Sequence, residues 1–193
     1  MKEEDPSSLA WTARRGFVEV GRNSLLVLDL TALEPPRVEA PDGIEIWTWA
    51  ERPGTERAMY EVAREAYPDV PGEDDAVVAP FEEWLSMDMQ GAGDRPEATF
   101  LAFAEDEVVA YAKLSLSRAR PEVAMHDMTG VRRAWRGRGV ARALKAAEIA
   151  WAKESGYERL ETQNEERNEP IRRLNERFGY VVAPGSVTVR GPL

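Results

Sequence analysis

One stretch of the chain leaves few folds open. Val123–Val131 reads as a strand, Arg132–Arg138 as a loop with four arginines, and Gly137–Ser155 as the longest helical pattern in the sequence. Val140, Ala141, Leu144, Ala147 and Trp151 fall on one helical face, and Gly156 ends the run. A strand that feeds straight into an amphipathic helix buries one face of each in a shared core, which places the chain in the α/β class. The junction has chemistry of its own. A helix start leaves backbone N–H groups unpaired and carries partial positive charge, so a phosphate or pyrophosphate fits there. Gly137 and Gly139 remove side chains that would hold such a ligand off the backbone, and Arg136 and Arg138 add charge-assisted donors. The plainer reading is a turn before a helix. Two other phosphate loops are excluded: no G-x-x-x-x-G-K-S/T occurs, and Arg142 stands where G-x-G-x-x-G needs its third glycine.

The rest of the chain alternates between strand and helix signals. Residues 1–10 read as a polar tail. Gly16–Val20 and Leu25–Leu30 read as short apolar strands split by Gly21-Arg22-Asn23-Ser24, a hairpin pattern. Glu34-Pro35-Pro36-Arg37 and Pro41-Asp42-Gly43 mark a linker, so a boundary is expected near residue 40. This divides the chain into an N-terminal extension, 1–40, and a main domain, 41–193. In the main domain Ile44–Thr48 reads as a strand, Thr55–Tyr67 and Pro80–Gln90 as helices, and Thr99–Ala104 and Val108–Leu116 as a strand pair. Arg159–Gln163 is a further strand. Asn168–Phe178 is a short helix with Pro170 in its first turn, and Tyr180–Ala183 and Val187–Arg190 are closing strands. Arg15-Gly16-Phe17-Val18-Glu19-Val20 echoes Phe178-Gly179-Tyr180-Val181-Val182-Ala183. Either the echo is chance or the extension is the tail of a second copy of the same fold.

Charge separates along the chain. The net charge is −10, yet residues 1–110 hold 9 Lys/Arg against 25 Asp/Glu, while residues 111–193 hold 16 against 10. A chain this acidic repels nucleic acid as a whole. Within the basic half, Val131–Lys145 carries Arg132, Arg133, Arg136, Arg138, Arg142 and Lys145 with no acid among them, either a solvated surface or a local site for an anion. There is no cysteine, which excludes disulfides and thiolate metal ligands, and a single histidine, which excludes a histidine-rich metal site. No apolar run reaches bilayer length, and Met1–Asp5 is acidic without an apolar core. The expectation is a cytoplasmic protein without metal or membrane attachment.

Arg136-Gly137-Arg138-Gly139-Val140-Ala141 resembles the Q/R-x-x-G-x-G/A loop with which the GNAT (N-acetyltransferase) superfamily holds the pyrophosphate of acetyl-CoA. Asn168–Tyr180 is similar to the family's N-x-x-A/M-x-x-L-Y/N-x-x-x-G-F/Y, in the right order and at roughly the right distance. The likeness covers residues 41–193, best over 100–182. It implies a central mixed and splayed β-sheet flanked by helices, with acetyl-CoA as acyl donor and a small-molecule or peptide amine as acceptor. It implies that Met128–Val131 is the splaying strand, with its backbone paired to the pantetheine arm. It assigns donor binding to Met128, Thr129, Val131, Arg133, Arg136, Gly137, Arg138, Gly139, Val140, Ala141, Asn168 and Asn175. Asn168 reads equally well as a helix cap.

Catalysis in this family is direct transfer. An amine attacks the thioester carbonyl, a base removes the amine proton, and a backbone N–H polarises the carbonyl. The candidate bases are Asp127 and His126, with Glu122 a distant third. Strand neighbours face opposite sides, so at most one of the pair points into the cleft. His126 titrates near the right pH as it stands. Asp127 serves in a setting that favours its protonated form, acts through water, or holds the ammonium. Many members have a tyrosine, which protonates the departing thiolate, where this chain has Asn175; asparagine is not a useful acid. Residues 50–97 are implied to cover the cleft. Their Glu73-Asp74-Asp75, Glu82-Glu83, Asp88, Tyr67 and Trp84 suit a cationic amine, or are solvated surface and core. Two other classes stay open: a non-catalytic acyl-CoA-binding module or sensor, and an interaction protein with a basic loop. The strands of the extension need a sheet edge, in their own domain or on a second chain, which leads to the expectation of a homodimer.

Overall fold

The computed structural model describes residues 5–70, 77–165 and 168–191. Along the chain run α1 (Pro6–Arg14), β1 (Val18–Asp29), β2 (Ile44–Thr48), α2 (Glu56–Ala66), α3 (Phe81–Trp84), β3 (Thr99–Ala104), β4 (Glu107–Leu116), β5 (Val123–Val131), α4 (Val140–Glu154), β6 (Arg159–Glu165), α5 (Glu169–Arg177) and β7 (Val181–Arg190). They group into two compact units, Asp29–Leu160 and Met1–Leu28 with Glu161–Leu193.

In the larger unit the strands lie in the order β2–β3–β4–β5, each antiparallel to the next. Side chains alternate across a strand, and here both faces are covered. On one face Leu101, Val108 and Tyr111 meet Met59, Val62 and Ala63 of α2 and Trp84 of α3. On the other, Phe100, Ala102, Val109, Ala110 and Ala112 meet Val140, Leu144 and Ala147 of α4. Burial on both sides is why β4 reads as a nearly unbroken apolar run. Helix α2 shows its packing in its spacing, with Met59, Val62, Ala63 and Ala66 buried along one stripe. A β-bulge at Val109 sets Val109 and Ala110 on the same face. A second bulge falls at Asp127. Between the pairs Lys113↔Met128 and Leu114↔His126, β5 has one residue more than β4.

Residues 30–39 run along α4. Lys153 Nζ donates to Leu30 O at 2.7 Å and Thr31 O at 3.0 Å near the end of the helix, and Arg142 Nη2 donates to Glu39 Oε2 at 3.1 Å near its start. The proline-rich stretch read as a linker is therefore tied down at both ends. The compact units themselves divide after Leu28 and again after Leu160.

In the smaller unit the strand order is β6–β1–β7, and β1 pairs antiparallel with β7 from Val18↔Arg190 to Val27↔Val181. Two sequence expectations change here. The polar tail is helical from Pro6, with Asp5 as its cap accepting from Ser8 N at 3.0 Å. Asp-Pro-Ser-Ser is a helix-start signal that its polarity conceals. The hairpin over Gly16–Leu30 is a single strand instead. Gly21, Arg22 and Asn23 pair with Thr188, Val187 and Ser186, so a long-range partner overrides a local turn preference. Likewise β7 is one strand through Pro184-Gly185, with a bulge opposite Ser24; a Cβ on Gly185 would lie 1.9 Å from Asn23 O. Because β7 supplies the pairing edge in the same chain, β1 needs no second copy to satisfy its backbone groups.

Candidate active site

Val131 ends β5, Arg133–Trp135 makes one 3₁₀ turn, and α4 starts at Val140 with Gly139 as its cap. Gly137 (φ 72°) and Gly139 (φ 88°) both hold a left-handed backbone that side chains with a Cβ rarely adopt. No side chain caps α4, and the first bond into the helix is Ala143 N to Gly139 O at 3.1 Å. The N–H groups of the first turn are thus left for water or a ligand.

Acids from the N-terminal half arrange the arginines of the loop. Arg133 grips Asp69 with Nε and Nη2, both at 2.9 Å, and Arg136 Nη1 reaches the same carboxylate at 2.6 Å. Arg136 Nε also donates to Val131 O at 2.9 Å. The Arg133 and Arg136 guanidiniums hold the Asp69 carboxyl well below the usual carboxylate range. Arg132 pairs with Glu107 at 2.7 Å, and Arg138 lies over the Trp135 ring at 4.9 Å. Lys145, counted with the basic stretch in the sequence, is buried on α4 and belongs to the core rather than to the loop. Much of the basic charge is met within the chain, which leaves the backbone amides and Arg138 as the plainest donors to an anion.

Beyond the loop, β5 carries Asp127 at its bulge. An extra residue escapes one-to-one pairing, and the Asp127 side chain is 48% exposed. Its Oδ2 lies 2.8 Å from Nζ of buried Lys113 on β4. The same ammonium meets Asp94 Oδ1 at 2.8 Å and donates to the carbonyl of Asp88. Three acceptors match the three donors of an ammonium. Burial works against the charge of Lys113, but Asp127 and Asp94 outweigh it and hold the group above the usual lysine range. Asp88 sits in a π-helical turn, Leu85–Met89, that continues α3, and its carboxylate accepts from Tyr67 Oη at 3.1 Å. Tyr111, two residues before Lys113, is buried. That burial, with the charges of Tyr67, Asp88 and Asp127 added, pushes its phenol well up, so it stays protonated. Lys113 and Asp94 were not among the sequence candidates. The signal was there, a lysine inside the apolar run Val108–Leu114.

His126 faces the other way. It is 7% exposed, and its Nδ1 lies 3.0 Å from Oε2 of buried Glu148 on α4. Burial first, then the charge of Lys145, pushes the imidazole down, against the pull of Glu148. Met128, Thr129 and Val131 pair with Lys113, Ala112 and Ala110 of β4. Glu122, between β4 and β5, lies 3.7 Å from Arg159. In the smaller unit Asn168 stands at the start of α5 without making a side-chain cap bond. Asn175 is fully buried, with Nδ2 donating to Asn164 Oδ1 at 2.8 Å. Of the residues expected to cover a cleft, Trp84 is core, Glu82 and Glu83 are exposed, and Glu73, Asp74 and Asp75 lie outside the described residues. Among the described residues no group of three His, Cys, Asp or Glu is placed to hold a metal, and no helix is long and apolar enough to cross a membrane.

A sequence profile of the acetyltransferase (GNAT) family matches residues 56–180, well over half of the chain. The chain belongs to the GNAT acetyltransferase family. Among solved structures it is similar to a GCN5-related N-acetyltransferase from Sphaerobacter thermophilus, with 28% identity and a TM-score of 0.75 over 100% of this chain and 59% of that one. It is also similar in fold to a tandem GNAT protein from the clavulanic acid biosynthesis pathway, at 21% identity and TM-score 0.71 over 98% of this chain and 60% of that one. A GCN5-related N-acetyltransferase from Kribbella flavida matches at 21% identity and TM-score 0.64, over 99% of this chain and 66% of that one. The chain thus spans about three fifths to two thirds of the length of these GNAT structures. No significant match is found among curated proteins.

The buried His126 links the stability of this GNAT chain to pH. Its folded-state pKa lies below the ordinary 6.5. Once the pH drops under that value, the unfolded chain takes up a proton that the native chain refuses. The contribution is therefore complete above pH 6.5 and is lost as the pH falls toward the folded-state value, at a slope of up to about 1.4 kcal/mol per pH unit. Urea unfolding between roughly pH 5 and 7 checks this against His126→Gln, in which that slope should flatten. Equal slopes in the two proteins would refute it.

Proposed function

We propose that this chain transfers an acetyl group from acetyl-CoA to the primary amine of a small molecule or peptide, by direct attack of the amine. The observation that carries the reading is the pair of left-handed glycines, Gly137 and Gly139, at the uncapped start of α4, within the segment that matches the family. The backbone of Gly137–Ala141 holds the donor's phosphates, with Arg138 over them and with Arg133 and Arg136 as supporting charge. The backbone of Met128, Thr129 and Val131 lines the route toward Asp127. The donor brings an activated acyl thioester; the chain binds it, orients the amine and moves a proton.

Asp127 is the group we assign to that proton. It is half-exposed, whereas His126 is sealed against Glu148. Lys113 fixes one Asp127 oxygen, and the carboxylate attracts the ammonium and takes its proton directly or through water. The amide C–N bond forms as the C–S bond breaks, and the thiolate takes its proton from water. Buried Asn175, with no acid of its own, favours a second reading as an acyl-CoA-binding module without turnover. The proposal includes a cytoplasmic setting, no metal, no nucleic acid and a homodimer. Strand β7 supports the dimer: it ends the strand order and exposes Val181 at 63% and Val182 at 66%, an apolar edge suited to pairing.

Acetyl-CoA at about 100 times its dissociation constant should stabilise the fold by roughly 2.7 kcal/mol, and Gly139→Asp should abolish the effect. Absence of any Tm shift at millimolar CoA would overturn the loop assignment. Asp127→Asn should lower kcat about a hundredfold while keeping the shift with acetyl-CoA. Turnover within a few-fold of wild type removes Asp127 as the base, and binding without turnover of any amine supports the second reading. Light scattering should find a dimer that Val182→Lys dissociates; a monomeric wild-type protein refutes the dimer.

A further inference from the structure

The larger unit carries an open groove of about 770 Å³ between the 92–95 loop and the end of β4 with the residues after it. That volume suits a small molecule. Its lining includes Arg95, Arg118, Ser115 and Ser117, and no acid. The absence of acid is unusual for this chain, in which Arg132, Arg133 and Arg136 of the loop and Arg142 of α4 are all matched by carboxylates.

The local sequence Gly93-Asp94-Arg95 builds the groove. Gly93 lies hard against β4: its carbonyl accepts from Leu116 N at 2.9 Å, and a Cβ there would come within 2.6 Å of Leu116 O and 2.8 Å of Ser115 Oγ. Asp94 turns inward. One carboxylate oxygen meets Lys113 Nζ at 2.8 Å, and the other accepts from Gly91 N at 2.8 Å. Arg95 lines the groove, held there by Nη1, which donates to Ala92 O at 3.1 Å and Asp94 O at 2.6 Å. Its Nε and Nη2 keep their donor capacity. Arg118 is exposed and pairs with no carboxylate among the described residues. Ser115 and Lys113 share one face of β4, about 7 Å apart along the strand. The groove therefore adjoins the cluster whose exposed member is Asp127.

Two cations and two hydroxyls select an anionic group, and the carboxylate beside them selects an ammonium. We propose that the acceptor is an amine that also bears an anionic group, a carboxylate or a phosphate. The anion sits on Arg95 and Arg118, and the amine lies toward Asp127. This inference rests on the acetyltransferase reading and narrows its acceptor class.

The test is calorimetric titration of the full chain with CoA present, using matched pairs: leucine against leucinamide, and O-phosphoethanolamine against ethanolamine. Thiol release from acetyl-CoA is followed in parallel. The anionic member of at least one pair should bind at least about tenfold tighter than its neutral partner, and the pair that discriminates identifies the group. Arg118→Ala should remove that preference without changing CoA affinity, and Arg118→Lys should restore part of it. Equal or tighter binding of the neutral members overturns the inference. So does a preference that Arg118→Ala leaves intact, and so does the failure of both anionic members to bind at millimolar concentration. Titration with CoA needs no chemistry, so the two readings fail separately. Anion preference without turnover would sink the catalytic reading alone, and turnover of neutral amines alone would sink this one.

Discussion

A charged lysine in the middle of a buried strand sets the terms for the site. Leaving the Lys113 ammonium unpaired would cost several kcal/mol, so acceptors must reach it from three parts of the chain. Each arrives through a local irregularity. Asp94 comes in beside a glycine pressed against β4, the Asp88 carbonyl from a π-helical turn, and Asp127 from a β-bulge. Regular elements would supply none of the three. Counted as ions, the cluster holds two carboxylates for one ammonium. The surplus negative charge falls to its exposed member, Asp127, the one carboxylate of the cluster open to solvent.

The unequal charge of the two halves of the sequence has a structural counterpart within the larger unit. Asp69 gathers Arg133 and Arg136, Glu107 takes Arg132, and Glu39 takes Arg142. Exposed pairs of this kind add little to stability. What they do is hold the loop's long side chains in fixed places, so that the two glycines and the first turn of α4 present a backbone surface. The basic stretch reads as a free patch in the sequence, because pairing over a separation such as Asp69 to Arg136 has no local signature.

Legibility follows the range of the forces involved. β2 and β5 match their expected bounds, and α2, α4 and α5 lie within a few residues of theirs, because alternation, helical spacing and glycine stops are local. The Arg136–Ala141 loop was readable for the same reason. The hairpin over Gly16–Leu30 was misread because the competing partner, β7, lies more than a hundred residues away. Asp127 and His126 are legible as a pair facing opposite sides, yet only the register shift at Asp127 and the Glu148 carboxylate across from His126 distinguish their surroundings. The groove at Arg95 and Arg118 has no local signature, since it joins the end of β4 to a loop more than twenty residues earlier through the contact of one glycine.

The position of β1 between β6 and β7 has a consequence for how the chain comes into being. Both neighbours of β1 follow it in the chain, so its backbone groups wait unpaired while some hundred and thirty residues are added before β6. By then the whole of Asp29–Leu160 has emerged, with its local contacts and both faces of its sheet ready to close. Long-range pairing forms slowly and leaves strands open to wrong partners in the meantime. In β1 that interval exposes an apolar run, Leu25-Leu26-Val27-Leu28, closed only by the charge of Asp29. Synthesis itself is thus a stage at which this fold is open to pairing with the wrong partner.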